Sequence, residues 1–373
     1  MNQINCPICG NKCVKAGKTK AGTQRWLCKK CKTSLTHKID NDSKELQIFL
    51  DWLFGKETQS IMPGEGRTFR RKTARFWDIW PMPPKIEETK DVLFLDGIYL
   101  GRKACVLICC DEKNVLGWYL CRYEHAGAWI ALMKRIAEPR MVVSDGGTGF
   151  AKALKKVWPI AKHQRCIFHV FCQIKRYTMS KPNTLAGVEL YCLAKDLLKI
   201  KEKQEAETWV TRFTEWIKKY QKFLSEMTVD EHGNKRPTHE RLLKAERSLL
   251  KLIKENTLFT YLDKEFINDF IAPSTNNRIE GGINSRLREM LRNHRGLSIE
   301  RRIKAVYWWC YMHSPEPLSL SEIIKTMPTD RSIAAIYQRM NDKSRLEKSL
   351  SLWGDAIVWS DLHKTDKSFT EWD

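Results

Sequence analysis

No run in the 373-residue chain approaches the roughly 18 consecutive apolar residues of a membrane-spanning helix. Its first residues are polar and cysteine-containing where a secretory leader would be apolar. Membrane and secreted classes are therefore not expected, and no internal repeat is visible. Acid is scarce relative to base: 44 Asp and Glu stand against 65 Lys and Arg, giving a formal charge of +21 and a pI of about 9.4. A surplus of that size points to a polyanionic partner bound through counterion release. With 42% hydrophobic residues the chain is not short of core material, and its length suits two or three domains. The cysteines number thirteen, an odd count that suits metal ligands plus reduced buried thiols in a reducing cytoplasm better than a set of disulfides.

Two aspartates each close an apolar strand-like run. Val92-Leu93-Phe94-Leu95 leads into Asp96-Gly97, and Met141-Val142-Val143-Ser144 leads into Asp145-Gly146-Gly147. Each carboxylate is thus expected where a buried strand surfaces, the usual place for ligands in open sheets. A third acid, Glu280, falls in the first turn of a predicted helix. Three such acids meet the needs of two-metal phosphoryl transfer, in which carboxylate oxygens hold a pair of Mg2+ (or Mn2+) ions about 3.5 to 4 Å apart. Nucleic-acid cleavage is the chemistry this suggests.

Before the first aspartate, residues 1–40 carry Cys6-Pro-Ile-Cys9 and Cys28-Lys-Lys-Cys31, the spacing of a two-knuckle zinc ribbon closing one structural Zn2+ site. Cys13 is a competitor with poorer knuckle spacing. A segment this small has little core, so the metal is expected to supply most of its folding free energy. Residues 41–84 read as a helix-turn-helix: Leu46, Phe49, Leu50 and Leu53 at helical spacing, then a second helix over 68–80 with Phe69, Phe76, Trp77 and Trp80 on one side and Arg70, Arg71, Lys72 and Arg75 available to DNA. The alternative is an ordinary helical hairpin with a solvated charged face. Pro81, Pro83 and Pro84 mark a linker.

From residue 91 strands are expected at 91–96, 103–110, 115–122 and 140–144, with helices near 126–138 and 148–157: a mixed sheet covered by helices. After His169 the pattern is helical. Leu185, Val188, Leu190, Tyr191, Leu197 and Leu198, then Trp209, Phe213, Trp216, Ile217 and Tyr220, then Leu242, Leu249, Leu250 and Ile253 form apolar stripes of an insertion over about 170–275, with an exposed loop at 229–239.

Around the third acid, 273–277 is a helix-start signal, and Ile279, Ile283, Leu287 and Leu291 form a stripe behind it. Asn277 and Glu280 could equally be a capping pair. Gly281-Gly282 costs a helix about 1 kcal/mol per residue relative to Ala, which signals a close backbone approach. Arg278, Arg286, Arg288, Arg292, Arg295, Arg301, Arg302 and Lys304 would suit a passing phosphate backbone. In Cys166-Ile-Phe-His169, with His163 and Cys172 nearby, the thiol and imidazole could hold a metal or fix the fold beside the second acid, and His169 is a candidate contact to the scissile phosphate.

Taken together, Asp96-Gly97 with Tyr99, Ser144-Asp145-Gly146-Gly147, Arg165-Cys166-Ile-Phe-His169 and Asn276-Asn277-Arg278-Ile279-Glu280-Gly281 make residues 90–313 resemble the Mutator-like DDE transposases of bacterial insertion sequences. The resemblance implies an α/β ribonuclease-H-like catalytic domain over 85–313, with Asp96, Asp145 and Glu280 as ligands of two metal ions. It also implies hydrolysis at a transposon end followed by transesterification into target DNA. Double-stranded terminal repeats and target would be the partners, a dimer or larger assembly would act on DNA, and the setting would be a bacterial cytoplasm at the nucleoid. Relatives often carry a longer helical N-terminal region, so terminal-repeat recognition by the ribbon and helix-turn-helix is an expectation particular to this chain. A nuclease of the same fold that joins no strands, and a zinc-ribbon DNA-binding regulator with an inert core, are the alternatives. Residues 314–373 carry no recognisable motif, and Trp353, Trp359 and Trp372 are candidates for packing or a subunit contact.

Overall fold

A computed structural model describes residues 4–341 apart from 7, 8, 37–40, 230 and 268–271. Trp353, Trp359 and Trp372 lie outside the described residues.

The N-terminal segment forms an antiparallel sheet of β1 (Cys13–Lys18), β2 (Gln24–Cys28) and β3 (Ser34–Thr36), in which Cys13 pairs with Cys28. Its buried cluster consists of Cys6, Cys13 and Cys28, with Trp26 and Leu35 half-buried against them. Next come α1 (Asn41–Phe54) and α2 (Arg67–Thr73), the latter continuing as a tight 3-10 turn through Asp78. The second helix is therefore shorter than the expected 68–80. Phe69, Phe76, Trp77 and Trp80 are all buried, and Phe49 meets Trp77 and Trp308 edge-on. These aromatics share one continuous core with the main sheet.

That sheet has five strands in the order β6-β5-β4-β7-β8. Strands β4 (Val92–Leu100), β5 (Ala104–Cys110) and β6 (Val115–Cys121) form an antiparallel meander. After α3 (Ala126–Met133), β7 (Met141–Ser144) joins β4 in parallel, and after α4 (Thr148–Val157), β8 (Lys162–Arg165) joins β7 in parallel. Side chains alternate between two cores, as a period of two requires. Val92, Phe94, Ile98, Val106 and Met141 face the large helical side, whereas Leu93, Leu95, Leu107 and Val142 face Trp129, Leu132, Phe150 and Leu154 of α3 and α4. Both faces are covered, which explains why β5 and β6 read as unbroken apolar runs. Strand β4 extends past Asp96, which sequence placed at its end, and β8 has the polar sequence KHQR and was not anticipated.

The helical face is built from α5 (Ile167–Thr178), α6 (Leu185–Leu197), α7 (Lys203–Leu224) and α8 (Glu240–Lys254), then short α9 (Lys264–Ile267) and a π-helix (Arg278–Asn284), then α10 (Ser285–Asn293) and α11 (Ile299–Met312). Trp209, Phe213 and Trp216 are core residues as expected, but Leu185, Val188, Leu198 and Leu250 of the predicted stripes are exposed. The expected 229–239 loop is largely a hairpin, β9 (Met227–Val229) with β10 (Lys235–Pro237). Helices α12 (Leu320–Thr326) and α13 (Asp330–Asn341) follow. The start of α13 is pinned by Trp80 Nε1, which donates to Asp330 Oδ1 at 2.6 Å, and by Lys304 Nζ, which reaches the same carboxylate at 2.7 Å. Lys304 is fully buried between Asp330 and Glu300, so it is no phosphate contact, contrary to the expectation for the basic helix.

Candidate functional site

Because Leu95 pairs with Ser144 across the parallel strands β4 and β7, the next residue on each, Asp96 and Asp145, emerge side by side. Asp96 shares the sheet face of Phe94 and Ile98, toward the π-helix. Its Oδ1 accepts from Gly97 N at 2.9 Å and its Oδ2 from Asn284 Nδ2 at 2.8 Å, so the buried amide of the π-helix orients this carboxylate. Asp145 Oδ1 accepts from Gly147 N at 3.1 Å, which folds the loop at the start of α4 around it.

Burial pushes Asp96 up to about 7; the Gly97 amide opposes the shift, and the charges of Asp145, Glu280 and Glu124 add to it. Glu124, on the loop after β6, is also raised to about 7, by burial and then by Asp145. Sequence reasoning missed this fourth acid. It lies against Gly97, where a Cβ would come 2.5 Å from Glu124 Oε1, so only glycine lets the carboxylate approach the strand. Asn284, also missed, lies in the apolar stripe of Ile279 and Ile283, and no local signal marks it.

Glu280 is carried by the π-helix, a rare form that recurs at functional sites. The two glycines there answer to crowding inside the turn: a Cβ on Gly281 would meet Asn277 Oδ1 at 2.6 Å, and one on Gly282 would meet Arg278 Nη1 at 2.9 Å. The close approach expected from sequence is thus made by the helix's own side chains. Asn277 makes no side-chain cap bond, so the capping alternative is not realised. Glu280 lies on the same side of the molecule as the two aspartates: burial raises its pKa, His169 opposes that shift, and Asp145 adds to it. Its nearest partner, however, is His169, with Nδ1 3.2 Å from Oε1. Among the described residues, two groups bring three or more ligand atoms within 4.8 Å of one another: Cys6, Cys9, Cys28 and Cys31, and Cys166, His169 and Glu280. Asp96, Asp145 and Glu280 lie near enough for the charges of Asp145 and Glu280 to raise the pKa of Asp96, and for Asp145 to raise that of Glu280, without closing to such a cluster.

In the ribbon, Sγ separations are 3.4 Å for Cys6–Cys31 and Cys9–Cys28 and 3.5 Å for Cys9–Cys31. A tetrahedral zinc with about 2.3 Å bonds to sulfur has edges of roughly 3.8 Å, so the set fits zinc with little movement. Cys13 falls outside the cluster.

Of the expected DNA contacts, Arg71 and Arg286 are exposed. Arg70 reaches Gln59 at 3.4 Å, Lys72 pairs with Glu45, and Arg75 with Asp42 and Glu45. Arg278 donates to the carbonyls of Glu112 and Lys113 at 2.6 and 3.1 Å, which commits it to the β5–β6 turn.

A mixed sheet with aspartates on adjacent parallel strands, preceded by a ribbon whose four cysteines are spaced for zinc, defines an α/β protein with a strongly basic surplus. Residues 104–234 match the transposase family described as "Transposase, Mutator family". Over 159 residues the chain is 28% identical to the transposase for insertion sequence element IS905 of Lactococcus lactis subsp. lactis (strain IL1403), covering 38% of this chain and 40% of that protein. It is also 28% identical over 156 residues to the transposase for insertion sequence element IS6120 of Mycolicibacterium smegmatis, covering 37% of this chain and 46% of that protein. The chain thus spans less than half the length of either relative. Residues 104–234 are thus similar to the Mutator-family transposases of bacterial insertion sequences. The family match contains Asp145, Glu124, Cys166 and His169 but starts beyond Asp96 and stops before Glu280. No helix among the described residues is long and apolar enough to cross a membrane.

Proposed function

We propose that this chain is a DDE-type DNA transposase whose catalytic acids are Asp96, Asp145 and Glu280. The observation that carries the proposal is the pairing of Leu95 with Ser144, which sets the two aspartates next to each other at the sheet, with the helix of Glu280 packed alongside. We read the meander followed by two parallel strands as a ribonuclease-H-like core spanning 85–313, with the helical insertion between the second and third acids.

The residues fit a divalent cation. Asp96 and Glu124 are both held near 7 by burial and by neighbouring carboxylates, a surplus of unshared negative charge that Mg2+ or Mn2+ would relieve. When bound, such ions activate the attacking oxygen and stabilise the leaving one. The chain's own contribution is to hold the ligands: Gly97 N and Asn284 fix Asp96, Gly147 N fixes Asp145, and Arg165, packed over Gly146, places a cation beside Asp145. His169 stands at the edge of the acids as a contact for the scissile phosphate. In the reaction, water cleaves the phosphodiester at a transposon end and frees a 3′ hydroxyl, which then attacks target DNA. The ribbon with one Zn2+ and the α1–α2 pair, with Arg70, Arg71, Lys72 and Arg75, would read the terminal repeats, and Arg286 would meet backbone phosphate. Two ends joined in concert call for at least a dimer.

The test is strand cleavage and joining with pre-cut ends and a supercoiled target in Mg2+. Asp96→Ala, Asp145→Ala and Glu280→Ala should each lower both reactions by about 10³-fold or more, a loss on the order of 4 kcal/mol of transition-state stabilisation. Cleavage without joined product would favour the nuclease reading. Unchanged cleavage in all three variants would remove the assignment, and sequence-specific binding alone would leave the regulator.

A further inference from the structure

We propose that Cys166, His169 and Glu280 form a second transition-metal site, distinct in chemistry from the Mg2+ pocket and suited to Zn2+. One thiol sulfur, one imidazole nitrogen and one carboxylate oxygen lie within 4.8 Å of one another. That donor set is the one borderline-soft zinc prefers and hard Mg2+ does not.

Three further observations point the same way. His169 Nδ1 is buried and has no hydrogen-bond partner although it stands 3.2 Å from Glu280 Oε1. The two groups sit side by side without an aligned N–H···O contact, which is how two ligands of one ion are disposed. Cys166 occupies the N-cap of α5, and its sulfur accepts from Asn276 N at 3.2 Å, so a thiolate there would have an amide donor and a helix N-terminus in support. The ligand-bearing elements are also tied together before any ion arrives. Cys166 N donates to Ser144 O at 2.9 Å and Ile167 N to Ser274 O at 3.0 Å, while Cys166 and His169 lie three residues apart at the first turn of α5. Three protein ligands leave the fourth tetrahedral position open to water or a phosphate oxygen. Binding would release the thiol proton.

The site shares Glu280 with the proposed catalytic set. On the transposase reading, an ion held by Cys166 and His169 draws Glu280 away from Asp96 and Asp145, so zinc and Mg2+ compete for one carboxylate. The binding claim itself does not depend on that reading, and its test needs no DNA.

The experiment is zinc titration of the full chain against a chromophoric chelator, with bound metal counted by elemental analysis. Two equivalents are expected, one tight in the ribbon and one weaker. Cys166→Ser should lose the weaker equivalent and keep the tight one; Cys28→Ser should do the reverse. Because Cys166 is buried, His169→Gln, at a half-exposed position, repeats the test should the serine variant misfold. A single equivalent in the unaltered chain, or a second that persists in both Cys166→Ser and His169→Gln, overturns the proposal. Failure of DNA joining with two equivalents present would count against the transposase reading alone.

Discussion

Cysteine does opposite jobs in the ribbon and in the sheet. In the ribbon the thiols crowd to 3.4 Å, and Cys31 is drawn down to about 6, chiefly by the hydroxyl of Thr33. In the sheet Cys105, Cys109, Cys110 and Cys121 are fully buried, and Cys110 is pushed up to about 12 by burial. The first set has the spacing of a zinc-ligand cage; the second behaves as small hydrophobes. The same division holds for stability. The ribbon has almost no apolar residue to bury, with Trp26 and Leu35 as the side chains packed on its cysteines, whereas the sheet is covered on both faces by two apolar cores. One region has metal-ligand spacing and little core, the other has burial on both faces, and perturbations should separate them.

The largest separation should come from chelation. Apparent zinc-binding free energies of structural sites run about 10 to 16 kcal/mol, so stripping the metal should unfold residues 4–36 outright. Hydrogen exchange should then reach the unprotected rate in β1–β3 and stay unchanged in β4–β8. Protection surviving in the stripped ribbon would erase the contrast. Next in size is Lys304→Ala. Lys304 Nζ bonds Glu300 at 2.8 Å and Asp330 at 2.7 Å in full burial, and its removal leaves two acids uncompensated. A loss of about 3 to 5 kcal/mol from the denaturant-unfolding free energy of the sheet body is expected, with zinc content unaltered.

Lys304 also marks where sequence reading stops. Every residue of α11 from 303 to 311 is buried, so a lysine counted with the surface cations is enclosed from all sides, and no local pattern reveals that. What was legible had a periodic or spacing signal: the apolar runs ending at Asp96 and Asp145, the cysteine pairs, and the aromatic stripe of α7. Strand β8 was missed because Lys-His-Gln-Arg has no apolar alternation and owes its form to pairing with β7. Glu124 was missed because a carboxylate in a loop carries no mark until Gly97 is seen to make room for it. The paired glycines were legible as an anomaly, though their cause, a π-turn crowded by Asn277 and Arg278, was not.

Gly146→Ala sharpens the comparison at intermediate size. Gly146 has φ of +79°, and a Cβ there would fall 2.2 Å from Arg165 Nη1 and 2.5 Å from Arg165 Cδ. Left-handed backbone costs an alanine about 1 to 2 kcal/mol, and displacing Arg165 adds an overpacking cost of similar size. The sheet body should lose roughly 2 to 4 kcal/mol by urea midpoint, and Asp145 should move with its loop. An unchanged midpoint would mean the loop re-forms freely, and would weaken the view that this end of the sheet is rigidly built.

The smallest effect is a pH dependence that originates in the sheet. His163 rests against Phe150, and its Nε2 lies 2.9 Å from Ser144 Oγ; burial lowers its pKa from 6.5 to about 4, with Arg165 adding to the shift. A base with a depressed folded pKa takes up its proton more readily when unfolded. Its contribution is therefore complete above about 6.5 and disappears as pH falls toward 4. For a ring that is only half-buried, the loss should be on the order of 2 kcal/mol. Asp96 and Glu124, held up near 7, contribute the opposite slope, so His163 is read as a difference: as pH falls from about 6.5 to 4 the zinc-stripped protein should lose about 2 kcal/mol more than His163→Asn does. A slope of equal size in the variant would move the proton-linked group out of the sheet and leave burial at β8 without a titration signature.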